Sequence, residues 1–163
     1  MGLLLGGDIG GTKTLLALAA LDDAGRIRPV FERSYASREF ERFGLALDRF
    51  FAEARDAGHT DVVAATCIGV AGPVRGHKVQ VTYLPWIIDA HDLQRRFPRA
   101  EVQLVNDFAA AAAGVLDTDA LELVPLQPGS VDPGASRVVL GAGTGLGVAA
   151  LCRAANHWRI LAG

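Results

Sequence analysis

Apolar and polar positions alternate in blocks that mark most of the elements. Leu3 to Leu5 is a short apolar run, Thr14 to Leu21 a second, and Gly6-Gly7-Asp8-Ile9-Gly10-Gly11-Thr12-Lys13 joins them. Two strands around a glycine-rich tip read as a β-hairpin. Asp22-Asp23-Ala24-Gly25 predicts a turn and Ile27 to Tyr35 a third strand. Phe40, Phe43, Leu47, Phe50, Phe51 and Ala54 then recur at helical spacing, with Ser37 as the expected N-cap and Gly58 as the C′ residue. This aromatic stripe reads as core packing.

Val62 to Val70 is a mostly apolar, β-branched run, the pattern of a strand buried on both faces. Gly69-Val70-Ala71-Gly72-Pro73 stops it, and Val74 to Thr82 predicts a short hairpin bent at Gly76. Asp89 is placed to cap a helix running through Phe97. Glu101 to Val105 is a strand, broken by Asn106-Asp107 just before the helix-forming run Phe108 to Gly114. Beyond a Pro/Gly loop at 127–136, strands are expected at Arg137 to Gly141, Val148 to Arg153 and Trp158 to Leu161. Strands first, then strand and helix in alternation, predict an α/β fold with a mixed β-sheet flanked by helices.

Composition narrows the class. The chain has 163 residues, enough for a proper core, and half of them are apolar, which excludes a disordered chain. A net charge of −2 without a basic cluster argues against nucleic acid as a partner. No apolar run is long enough to span a membrane and the N-terminus lacks a signal-peptide pattern, so a cytoplasmic protein is expected. Two cysteines in strand-like runs, Cys67 and Cys152, suit a reducing compartment. The four histidines, His59, His77, His91 and His157, show no metal-ligand spacing and read as surface residues.

Three stretches carry candidate chemistry. In the first turn, glycines let a backbone approach a ligand and consecutive N–H groups form an anion-binding concavity. Asp8 there would repel a bare phosphate, yet it suits a Mg²⁺ held between carboxylate and phosphates. Thr12 and Lys13 add a hydroxyl and an ammonium. A Walker A loop is excluded because Thr12 stands where glycine precedes Lys-Thr, and a Rossmann fingerprint is missing. Gly141 to Gly147 also fails the dinucleotide pattern; it reads equally as a second phosphate clamp or as a plain hairpin turn. Asn106-Asp107, at a strand's end, is either a helix cap or a general base for a substrate hydroxyl in phosphoryl transfer.

Asp8-Ile9-Gly10-Gly11-Thr12 between two strands resembles the first phosphate motif of the sugar kinase, actin and heat-shock ATPase superfamily. With Gly69 to Val74, Thr82-Tyr83-Leu84-Pro85-Trp86, Val105 to Phe108 and Gly141 to Ala149, five motifs stand in the order found in bacterial glucokinases. The resemblance runs along nearly the whole chain. It implies a ribonuclease H-like (actin-like ATPase) domain and transfer of the ATP γ-phosphoryl group to the 6-hydroxyl of glucose, with Mg²⁺. Asp8, Gly10, Gly11, Thr12 and Lys13 would face the metal ion and phosphates, with Asp8 touching Mg²⁺ indirectly. Gly143, Thr144 and Gly145 would hold phosphates from the other side. Asn106 and Asp107 would bind the sugar, Asp107 as general base.

The chain departs from that pattern at Lys13, where the family often has Asn and the related ROK kinases usually have Lys, and at Tyr83, where the family usually has Asn. It also ends at Gly163, before the family's next group of sugar ligands. Residues 1–163 therefore resemble the N-terminal small domain of a glucokinase without its larger C-terminal domain, and an inactive fragment with a tendency to form homodimers is expected. The alternative implied by resemblance is a non-catalytic, sugar-sensing regulator like those of the ROK family. Against it, Asp8 lies too near the N-terminus to leave room for a helix-turn-helix.

Overall fold

The computed structural model describes residues 2–116, 124–130, 132–142, 145–155 and 157–162. They divide into two compact units, Met1–Asp107 and Phe108–Gly163. The first is built on a five-stranded sheet. Strands β1 (Leu3–Ile9), β2 (Lys13–Leu21) and β3 (Ile27–Ala36) form an antiparallel meander. Strands β4 (Val63–Val70) and, after an intervening insertion, β8 (Glu101–Asn106) add to it in parallel, giving the order β3-β2-β1-β4-β8. The sheet is mixed, as the alternation of elements predicts.

Between β3 and β4 lies helix α1 (Phe43–Asp56), which buries Phe43, Ala46, Leu47, Phe50 and Ala54. Phe43, Leu47, Phe50 and Ala54 meet Leu3, Leu5, Ile9, Leu16 and Ile68 in the main core, with the Phe31 and Phe50 rings 5.4 Å apart. The stripe of aromatics is core packing, as expected. The helix ends in a Schellman motif: the His59 N–H donates to Ala54 O and the Gly58 N–H to Arg55 O. Gly58 has φ 91°, the left-handed conformation that glycine adopts without penalty.

The start of that helix differs from expectation. Ser37 is not its cap; residues Ser37–Glu39 form a 3-10 turn, and α1 begins six residues after Ser37 with Arg42 at the N-cap position and no side-chain cap. Ser37 is fully buried and serves the β1–β2 turn instead. Strand β4 also departs from the both-faces-buried reading, since Ala64 and Cys67 are exposed. Helix α1 covers one face of the sheet. The other face, within this unit, carries an apolar trough of about 420 Å³ lined by residues that include Leu4, Gly6, Ala17, Ala65 and Cys67.

The insertion is a small antiparallel sheet of β5 (Val74–Arg75), β6 (Lys78–Gln80) and β7 (Ile87–Asp89). The sequence pattern predicts the hairpin but not β7, which is only three residues long. Asp89 then caps helix α2 (Ala90–Arg96) as expected, its Oδ1 accepting from the His91 N–H at 2.9 Å. Trp86, 2% exposed, anchors this insertion by donating from Nε1 to Phe40 O at 3.1 Å.

The second unit is an antiparallel sheet of β9 (Arg137–Ala142), β10 (Leu146–Ala154) and β11 (His157–Ala162), in the order β11-β10-β9. Helix α3 (Asp107–Val115) supplies Ala112 to a core with Ala149 and Leu151. Gly141 and Gly147 lie so close to the Phe108 ring that neither position has room for a Cβ.

Candidate active site

Three parallel strands end side by side. In register, Ile9 stands opposite Val70, and Val70 opposite Asn106. Asp8 near the end of β1, the loop after β4 and Asn106-Asp107 after β8 therefore converge at one edge of the sheet. The carboxyl edge of parallel strands is where ligands gather in open α/β sheets. The sequence pattern places Asn106-Asp107 at a strand's end, but its convergence with Asp8 needs two crossovers that no local pattern reports.

The β1–β2 turn is held from below. Gly10 N–H donates to Lys13 O at 2.9 Å and closes the turn. Ser37 fastens it at three points: its N–H donates to Thr12 O at 2.9 Å, its Oγ donates to Gly10 O at 2.8 Å, and its Oγ lies 2.9 Å from Thr14 Oγ1. Thr14 and Ser37 are both wholly buried. Ser37 thus belongs to the site's support, a role that sequence reasoning missed because the partners lie 27 and 23 residues away.

Gly11 is required by its neighbours. A Cβ there would stand 2.7 Å from Thr82 O and 3.2 Å from Tyr83 Cβ, so the 82–86 loop packs directly against the turn. Tyr83 sits in the left-handed region, φ 65°, with its side chain 70% exposed.

The Asn106 amide donates to Asp107 Oδ1 at 2.9 Å and to Gly72 O at 3.2 Å. It ties the carboxylate to the loop after β4 and fixes its orientation. Gly72 itself is confined: a Cβ would come within 2.5 Å of Gln80 O.

Asp8 is open to solvent on one side, yet its carboxyl pKa is raised. The protein packed around it contributes most, then the nearby Asp107 carboxylate, while Lys13 pulls the other way. Water reaching Asp8 screens these effects, so the direction carries the meaning. Two carboxylates and an ammonium at one edge form a set with an excess of negative charge. That donor set fits a hard divalent cation, which takes one or two carboxylates and leaves its remaining positions to water and phosphate oxygens.

Of the other candidates, Gly143 and Thr144 lie outside the described residues. Gly145 is described, and nothing stands within 4 Å of where its Cβ would be.

The model of the glucokinase family matches residues 5–163. The chain belongs to the glucokinase family. A glucokinase from Nostoc sp. (strain PCC 7120) is 34% identical over 160 residues, covering 98% of this chain and 46% of the relative. One from Synechocystis sp. is 40% identical over 148 residues, covering 88% and 42%. Among solved structures, glucokinase from an Antarctic psychrotroph superposes with a TM-score of 0.79 at 27% identity, over all of this chain and 50% of its own. A ROK family glucokinase from Streptomyces griseus, solved with glucose and AMPPNP, gives 0.64 at 26%, over 97% and 46%. The α/β fold expected from the sequence is that of these family members. The chain spans about half the length of the curated relatives it matches.

Proposed function

We propose that this chain supplies the phosphate-facing turn and the general base of an ATP-dependent, cytoplasmic glucokinase. The observation that carries the reading is the convergence of Asp8, Lys13 and the Asn106-held Asp107 at one carboxyl edge of the sheet. In this reading Asp107 accepts the proton of the glucose 6-hydroxyl. As it does so, that oxygen bonds to the γ-phosphorus and the bond from phosphorus to the ADP oxygen breaks. Asn106 aims the carboxylate. Lys13 and the N–H groups of the turn would offset phosphate charge, and Asp8 is the residue that would hold Mg²⁺. The metal ion, when bound, would neutralise charge on the phosphates. Gly143, Thr144 and Gly145 belong to the proposal as a second phosphate clamp.

The family membership supports a sugar kinase, and the ROK family glucokinase solved with glucose and AMPPNP supports those two ligands. We assign the small-domain half of the catalytic machinery to residues 1–163. Turnover is expected to need more of the polypeptide than these residues, because the relatives are about twice as long. Homodimerisation through the apolar trough of the first unit is part of the same proposal, and a strictly monomeric mass by light scattering at high concentration overturns that part.

The test is a coupled ADP-release assay on the polypeptide expressed from its complete coding sequence. Asp107→Asn keeps size and capping ability but cannot take a proton. kcat should fall by about 10²–10⁴-fold, the range for loss of a general base. A fall of less than roughly tenfold, with circular dichroism unchanged, removes Asp107 from that role, since that is only about 1.4 kcal/mol of barrier.

A further inference from the structure

The four histidines show no metal spacing in the sequence, yet two of them meet in the fold. His77 lies in the β5–β6 turn and His91 in the first turn of α2, fourteen residues apart. Pairing of Lys78 with Asp89 across β6 and β7 brings them together. The Ala90 N–H donates to His77 O at 2.8 Å and holds the two backbones side by side. Their rings lie against each other, centroids 4.0 Å apart and planes tilted by 32°. Asp89 lies beside both: its Oδ2 is 3.9 Å from His77 Nε2, and its Oδ1 is 3.7 Å from His91 Nδ1.

We propose that His77, Asp89 and His91 form a binding site for a transition-metal dication of the zinc class, separate from the proposed phosphoryl-transfer site. Three features carry this. The potential ligand atoms all lie within 4.8 Å of one another. A tetrahedral ion with bonds of about 2.0–2.1 Å separates its ligands by roughly 3.3 Å, so small side-chain rotations close the gap. Asp89 is already oriented, because its cap bond to the His91 N–H fixes its rotamer and only 14% of its side chain is exposed. Finally, the donors are two imidazoles and one carboxylate. Imidazole suits zinc, copper and nickel, whereas magnesium takes oxygen ligands and keeps its waters. The site therefore selects against the ion expected at Asp8.

Lys78 is the competing cation, its Nζ 3.2 Å from Asp89 Oδ2. A bound dication displaces that ammonium, and the fourth coordination position stays open to water. The ion would tie the 76–78 turn, β7 and the start of α2 together, stabilising the insertion that carries the 82–86 loop.

The experiment uses untagged protein from the complete coding sequence, freed of metal with EDTA and titrated with ZnCl₂ in a calorimeter. Wild type should bind one ion at this site. His77→Ala and His91→Ala, both at exposed positions, should each weaken it by at least the roughly tenfold seen when even an outer partner of a metal ligand is lost. The double variant should abolish it, and Mg²⁺ should not compete. Lys78→Ala should bind at least as tightly as wild type, and His157→Ala should match it. Zinc should raise the melting temperature of wild type and of His157→Ala, but not that of the double variant, because only a ligand that binds the native state stabilises it. Wild type that does not saturate below about 1 mM zinc overturns the proposal. So does a double variant that binds as tightly as wild type.

Discussion

The hydroxyls of Ser37 and Thr14 meet at 2.9 Å beneath the turn that carries Asp8 and Lys13, and both are wholly out of contact with water. Ser37 also donates to Gly10 O. Replacing it with alanine leaves the Thr14 hydroxyl and the Gly10 carbonyl to find new partners in a buried space. An unsatisfied buried polar group costs about 1–3 kcal/mol. Ser37→Ala should therefore lower unfolding free energy by an amount in that range, measured by urea denaturation. Ser37→Thr keeps the hydroxyl and should lose less than alanine, its added methyl having to be accommodated by the neighbours of a fully buried position. A stability change below about 0.5 kcal/mol, the scale of ordinary surface substitutions, would show that Ser37 does not fasten the turn.

A second expectation concerns Tyr83. A bulky residue at φ 65° is strained, because its Cβ crowds the following carbonyl, and the cost is roughly 1–2 kcal/mol. Asn tolerates this conformation far better, because its short polar side chain can hydrogen-bond locally. Little contact is lost on removing a side chain 70% exposed. Tyr83→Asn and Tyr83→Gly should both raise the melting temperature. A drop in both would mean that contacts of the Tyr83 side chain outweigh the strain.

Gly147 offers the opposite case. The Phe108 ring occupies the space where its Cβ would be, so Gly147→Ala must push the ring or the strand aside. Overpacking of this kind costs about 1–3 kcal/mol. The loss should largely disappear in Gly147→Ala combined with Phe108→Leu, which frees the space. Additive losses in that double variant would sink the explanation.

How much of this was legible in the sequence depends on range. The first hairpin, the aromatic stripe of α1, the Asp89 cap and the C′ role of Gly58 all follow from residues within a turn or two of each other. Asn106-Asp107 could be placed at a strand end for the same reason. Ser37 carries a misleading local signal, because serine before an apolar helix is a standard cap pattern while its actual partners are 23 and 27 residues distant. The His77–Asp89–His91 group was invisible because it depends on β6 pairing with β7, and β7 is too short to show a period. The β4 run looked buried on both faces because small residues such as Ala65 and Cys67 read as apolar whether or not anything covers them.

The raised pKa of Asp8 fixes the sign of one last prediction. Burial and the Asp107 carboxylate disfavour the ionised form of Asp8 in the folded chain, and Lys13 offsets them only in part. The native state therefore holds its proton to higher pH than the unfolded chain does. Between the ordinary aspartate value and the raised one, the folded state binds more protons, so stability falls as pH rises through that window. Above it the loss is constant, and below it Asp8 is protonated in both states and contributes nothing. Asp8→Asn resembles the protonated side chain at every pH. The variant should match wild type in strongly acidic buffer and be the more stable of the two at neutral pH, with the difference opening upward from the ordinary aspartate pKa. Mg²⁺ at millimolar concentration should narrow the neutral-pH difference if Asp8 and Asp107 attract the ion between them, because binding favours the folded wild type. Paired thermal melts of wild type and Asp8→Asn across the pH range, with and without Mg²⁺, measure both effects. An Asp8→Asn chain less stable than wild type at neutral pH without Mg²⁺ would reverse the sign and show that Lys13 outweighs burial and repulsion at this carboxylate.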